Sequence, residues 1–246
     1  MDTLPKALVD KIIDELASSG PGRPADLARY STISRDWVGR IQSHTFEVIY
    51  LLGPEVLKKW CRNIKSSPTG VSQHTRYLIL EKIPMDIKEF EAHIRAFMYV
   101  GRMDITKSTF LLSSSAMKCF APMVSSLTML KIHQSPTTLR IITSMLVELP
   151  KLKILDVEGL KITGDMDGTS SPSEIPFFHG SNSLRLRYSD FGQHDLDWIP
   201  SSAQFGELEI DPTHFLHIPA PMNRWLSNSR MTLTALAVIG DPDRKS

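Results

Sequence analysis

Cysteine is scarce in this chain. Its two cysteines, Cys61 and Cys119, stand far apart and form no Cys-x-x-Cys pair. There is no Asn-x-Ser/Thr sequon. The opening MDTLPKALVDKIIDEL carries acids through its apolar stretch, which is not how a signal peptide is built. The longest apolar run near it, Val48 to Leu52, falls far short of the ~20 residues a spanning helix needs. Together these absences read as a reduced, soluble, intracellular protein, expected in the cytoplasm and/or nucleus.

An excess of one charge is missing too. Lys and Arg number 28 against 27 Asp and Glu, a net charge of +1, so no global field gathers nucleic acid or an anionic membrane, and neither is expected as a partner. By segment, residues 1–50 carry 6 basic and 7 acidic residues, 51–150 carry 13 and 7, and 151–246 carry 9 and 13. The middle is therefore mildly basic and the end acidic. Those charges belong first to solvated surfaces.

Catalytic signatures are absent as well. The chain has no Walker A loop, GxGxxG, GxSxG, HExxH or Cys/His cluster at zinc spacing. His214 and His217 stand three apart between Pro212 and Pro219 with no third ligand near, which suits a surface turn better than a metal. Cys119 beside Phe120 reads as a buried structural thiol. His194, Asp195 and Asp197 fall in a polar turn before Trp198. The expectation is a protein with no catalytic residue, no metal and no cofactor. A small hydrolase would need a Ser-His-Asp cluster that only the fold could assemble.

What is present begins with helices. Leu8, Ile12 and Leu16 recur at helical spacing with Val9 and Ile13 alongside, so residues 5–18 read as an amphipathic helix with Pro5 in its first turn. The run Gly20-Pro21-Gly22-Arg23-Pro24 ends it. Asp26 can cap a short second helix through Tyr30, and Ser34 a third reaching about Thr45, with Trp37 and Ile41 on one face. Three short helices bury only a small core of their own and should rest on the following domain or on a partner.

These residues resemble an F-box of the kind found in fungal, basidiomycete-type proteins. Leu4, Pro5, Leu8, Ile12, Leu16, Leu27, Ile33, Ser34, Arg35, Trp37 and Phe46 follow its order and spacing. Ala7 stands where the family usually has Glu, and Ile33 where Val is commoner. The resemblance covers roughly residues 3–52. It implies a role in the ubiquitin-like conjugation pathway, with Leu4, Pro5, Leu8, Ile12, Leu16, Ile33 and Trp37 docking a Skp1-type adaptor of a cullin ligase. The plainer alternative is that the same helices merely cap the next domain.

The rest of the chain repeats. Apolar pairs of the form Leu-x-Leu start at 78, 103, 130, 155, 184, 208 and 236, with spacings of 25, 27, 25, 29, 24 and 28. All fourteen anchor positions are apolar, and Leu127, Leu152 and Leu233 add the earlier Leu of an LxxLxL pattern. Helical stretches are expected between them at 86–100, 113–126, 137–148 and 222–230. A period of 20–29 residues with one strand and one helix is the leucine-rich-repeat signature, in which stacked units build a curved solenoid with a parallel sheet on its concave side. The expected organisation is α/β: an F-box-like helical domain over 1–52, a linker helix and loop over 53–74, and an irregular solenoid over 75–246.

The position where such repeats usually carry Asn holds Ile83, Ser108, Ser135, Leu160, Ser189, Thr213 and Asp241. Five of these can still hydrogen-bond; Ile83 and Leu160 cannot. The Ser-, Pro- and Gly-rich residues 163–173 read as an insertion. The last unit runs straight into Asp241-Pro242-Asp243 with no capping repeat, so its strand is expected to be left open or covered by a partner.

Strand alternation marks the outward, target-binding residues as Tyr77, Ile79 and Glu81, Arg102 and Asp104, Lys131 and His133, Asp156 and Glu158, Arg185 and Arg187, and Glu207 and Glu209. The expected function is a substrate-recognition subunit of a Skp1-cullin-F-box ubiquitin ligase, whose repeats hold the target protein. The alternative is a protein-interaction scaffold with no ligase role.

Overall fold

The computed structural model describes residues 4–18, 27, 29–32, 34–66, 70–84, 94–108, 120–135, 139–159, 176–178, 182–187, 199–200, 202–210 and 220–238. Helix α1 spans Lys6–Ser18 and α2 spans Arg35–Thr45. The Ser34 hydroxyl caps α2 by accepting the Asp36 N–H. Eight five- or four-residue strands follow: β1 Val48–Leu52, β2 Tyr77–Glu81, β3 Arg102–Thr106, β4 Met129–His133, β5 Ile154–Glu158, β6 Ser183–Arg187, β7 Glu207–Ile210 and β8 Ala235–Val238. Helix α3, Pro54–Ser66, joins β1 to the second unit, α4, Leu139–Glu148, lies between β4 and β5, and α5, Ala220–Asn228, between β7 and β8.

All eight strands form one parallel sheet in strictly sequential order. The order follows from the period. Each unit buries its apolar pair only against the pairs before and after it, so chain neighbours become spatial neighbours. The pairs at Leu78/Leu80, Met103/Ile105, Leu130/Ile132, Leu155/Val157, Leu184/Leu186 and Leu208/Ile210 are all buried in one core. Residues from the connecting segments close that core, among them Leu57, Phe97, Met123, Met145, Phe178 and Trp225. Toward the C-terminus Phe177, Phe178, Phe205 and Trp225 stack edge to face, with centroids 5.7, 6.2 and 6.5 Å apart along the series.

The sheet starts one strand ahead of the seven-unit count. β1 lies in register with β2, Val48 opposite Tyr77 and Leu52 opposite Glu81, so Ile49 and Leu51 join the solenoid core. Between strands two of the expected helical stretches, 86–100 and 113–126, are described only in part. Of 86–100, the described part is a 3-10 turn at Arg95–Phe97; of 113–126, it is a 3-10 turn at Ala121–Met123. Pro122 lacks the N–H a longer helix would use there. The insertion at 163–173 lies outside the described residues, as do Cys119, His194, Asp195, Asp197, His214 and His217.

Two backbone devices repeat from unit to unit. The residue just after a strand is left-handed in five successive units: Gly53, Lys82, Lys107, Gln134 and Gly159, with φ of 78, 55, 51, 48 and 70°. Each donates its N–H to the last carbonyl of the next strand, as Gly53 does to Glu81 at 2.8 Å and Lys107 to His133 at 3.0 Å. The second device is the serine ladder. Ser108 Oγ accepts the Ile83 N–H and Ser135 Oγ accepts the Ser108 N–H, both at 3.1 Å and both buried. Serine thus replaces asparagine at two units. Ile83 takes the same position as a core residue, while 160, 189, 213 and 241 lie outside the described residues.

The N-terminal helices keep a separate small core. Val9, Ile13, Leu27 and Ile41 are buried together, with Ala17 and Trp37 packed against them. An ionic clamp ties the two helices: Arg40 reaches Asp14 with two bonds of 2.6 Å, and His44 Nε2 lies 2.8 Å from Asp14 Oδ1. The Arg40 guanidinium, followed by the His44 ring, holds the Asp14 carboxyl down to about 2. Phe46, just after α2, meets Trp60 of α3 edge to face at 5.8 Å.

Candidate functional site

Two surfaces stand out, one on α1 and one on the open face of the sheet. On α1 the apolar residues divide. Val9 and Ile13 turn inward to the small core, whereas Leu4, Pro5 and Leu8 are exposed, Leu8 at 45%. Ile12 and Leu16 lie half-buried between the two sets. Of the remaining residues expected on this face, Trp37 is half-buried against the small core, and Ile33 lies outside the described residues. An apolar arc wider than its own core needs leaves a stripe facing outward.

On the sheet, parallel register brings the outward positions into rows. The central row reads Tyr50, Ile79, Asp104, Lys131, Asp156, Arg185, Glu209 and Ala237, one residue per strand. From β3 to β7 its charges alternate in sign, so Lys131, Asp156 and Arg185 each sit between two opposite charges. The row on one side reads Val48, Tyr77, Arg102, Met129, Ile154, Ser183, Glu207 and Ala235; the row on the other reads Leu52, Glu81, Thr106, His133, Glu158 and Arg187. All twelve charged and aromatic residues expected to meet a target therefore share this one face.

All but Glu81 are, however, already engaged with one another. Tyr77 donates its hydroxyl to Asp104, and Arg102 stacks over the Tyr77 ring at 4.1 Å while its Nε lies 3.5 Å from Asp104. Burial, and then the bond to Asp104, push the Tyr77 phenol up to about 12. Further along, Asp156 Oδ2 takes Arg187 at 2.5 Å and Lys131 at 3.7 Å. His133 Nδ1 lies 3.1 Å from Glu158. Arg185 spans Glu207 at 3.0 Å and Glu209 at 3.7 Å, and Arg187 also reaches Glu209 at 3.4 Å. The Arg185 guanidinium and the Ser183 hydroxyl hold the Glu207 carboxyl below the usual range.

Asp156 departs from its expected role. Alternation predicts an outward, accessible carboxylate, yet the residue is fully buried, and its Oδ1 has no hydrogen-bond partner. Two cationic arms from neighbouring strands converge on it. A buried carboxylate with two cations holds strands together; it does not offer itself to solvent.

The sequence pattern also misses part of the face. Val48, Tyr50 and Leu52 of β1 are outward and exposed at 51%, 50% and 44%. VIYLL is apolar at every position, so its sequence does not say which side faces out; the alternation shows only in burial. Met129, Ile154 and Thr106 share the face and are half-buried. At the other end Leu236, an expected core anchor, is 46% exposed.

Among the described residues no three His, Cys, Asp or Glu side chains gather as a metal site would require. No helix among them is long and apolar enough to cross a membrane.

No protein-family model matches the chain, and no curated protein matches it. Among solved structures it is similar to the leucine-rich repeat domain of the type III effector XCV3220 (XopL), with a TM-score of 0.41 at 12% identity, over 97% of this chain and 72% of that one.

Proposed function

We propose that this protein is the substrate-recognition subunit of a Skp1-cullin-F-box ubiquitin ligase. The α1 side docks the adaptor and the open sheet face holds the target protein. The observation that carries this reading is the divided apolar arc of α1. Val9 and Ile13 are spent on a small core separate from the solenoid, while Leu4, Pro5 and Leu8 remain outward. Helices serving only to cap the sheet would turn Leu8 and Trp37 into the solenoid core. Instead Leu8 faces out, and Trp37 packs on the small cluster. In this reading the protein does no chemistry. It supplies proximity, raising the local concentration of target lysines near a charged ubiquitin carrier.

Co-purification with a Skp1-type adaptor tests it. Leu8→Ala with Ile12→Ala should weaken capture by about 2 kcal/mol or more, as loss of interface anchors does. Unchanged capture by a folded double variant would refute the α1 interface. Absence of any adaptor binding would leave an interaction scaffold with no ligase role.

A further inference from the structure

We propose that the β1–β2 end of the open face anchors the target, and that it takes an extended, apolar segment of a partner protein carrying one Lys or Arg. The proposal rests on the reading that this face holds a partner, and it says which part does so and by what chemistry. Val48, Tyr50 and Leu52 project from β1 beside Tyr77, Ile79 and Glu81 of β2, in register. The three β1 side chains are about half exposed, and no charge lies among them. The other pair of large apolar neighbours on the described face, Met129 of β4 beside Ile154 of β5, is half-buried, whereas the β1 side chains stand about half exposed. Such groups lose water favourably only when something covers them.

Charge selects the occupant. The face carries six carboxylates: Glu81, Asp104, Asp156, Glu158, Glu207 and Glu209. Five have a cation or an imidazole within 4 Å: Arg102 for Asp104, Lys131 and Arg187 for Asp156, His133 for Glu158, Arg185 for Glu207, and Arg185 with Arg187 for Glu209. Among the described residues Glu81 has none; its bond comes from the neutral Tyr50 hydroxyl. The unneutralised carboxylate thus borders the apolar strand pair, and the ladder beyond it is saturated. A ligand gains from covering Val48, Leu52 and Ile79 and from placing a cation on Glu81. Over β3 to β7 it would have to break existing pairs first.

The test is selection of a displayed library of random peptides against the full chain. Enriched peptides should combine aliphatic or aromatic residues with a Lys or Arg. Their affinity should fall about tenfold or more for Leu52→Ser and for Glu81→Gln, and stay unchanged for Lys107→Ser, off the face. Selection against Glu81→Lys should enrich Asp or Glu in place of the basic residue. Circular dichroism melts identify any variant that fails to fold, and Glu81→Gln, isosteric and half-buried, keeps the test alive if Leu52→Ser does. The proposal is overturned by peptides indifferent to both variants, by no enrichment, or by dimerisation lost on Leu52→Ser, which would make a second copy the occupant. Adaptor capture is read separately, so loss of that result leaves this one standing, and the reverse.

Discussion

Ser108 accepts the Ile83 N–H through its Oγ while its own N–H is given to Ser135 Oγ, so one buried residue links three successive units. A hydroxyl is shorter than the carboxamide usual at this place, yet it reaches the neighbouring backbone. It does so because each serine also donates back to its own strand end, to Thr106 O at 3.1 Å and His133 O at 2.9 Å.

Replacing Ser108 by Ala strands the buried Ile83 N–H. The expected cost is about 1–3 kcal/mol, read as a lower midpoint of urea unfolding. Ser135→Ala should behave alike, and a neutral result at both would show that the ladder contributes nothing net.

The helical unit should loosen in strong acid. Asp14 is held to about 2 against an unperturbed value of 3.8. Its pairing with Arg40 and His44 therefore contributes fully above pH 4 and disappears as pH falls through about 2. Trp37 packs on the small core between these helices, so its fluorescence reports the change. Asp14→Asn should remove this acid step, and its persistence in that variant would assign the step to another group.

Asp156 should be costly to remove alone. Asp156→Ala leaves the Lys131 ammonium on the face without this carboxylate and removes the shorter of the Arg187 contacts to Asp156 and Glu209, and about 3 kcal/mol of stability should go with it. Combining Asp156→Leu with Lys131→Leu should recover part of that loss. Simple additivity in the pair would mean the two charges do not couple.

Amide exchange should rank the strands. β8 pairs with β7 and leaves Leu236 46% exposed, whereas β4 and β5 are covered on both sides. Residues 235–238 should exchange at least about tenfold faster than 129–133 and 154–158. Equal protection would show that β8 is already covered.

The repeat was legible because its information is local. Leu78 and Leu80, Met103 and Ile105, and their successors announce a strand in five residues, and their spacing announces stacking. That Val48–Leu52 joins the repeat sheet as β1 escaped, because its apolar run was read with the helices before it rather than with the repeats after it. At 94–100 and 120–126, the described ends of two expected helices, the chain makes 3-10 turns at Arg95–Phe97 and Ala121–Met123, since apolar spacing alone does not separate an α-helical end from a tighter turn.

On the open face the sequence determined which residues stand outward, because alternation is a property of every strand. It could not determine their partners. Those depend on register between strands a whole unit apart, and register is set by packing of the buried rows beneath. Only the tertiary structure places Asp156 between Lys131 and Arg187 and buries it, and only there does Glu81 emerge as the carboxylate of this face with no cation beside it among the described residues. Charge type is written residue by residue; neutralisation is a relation between strands.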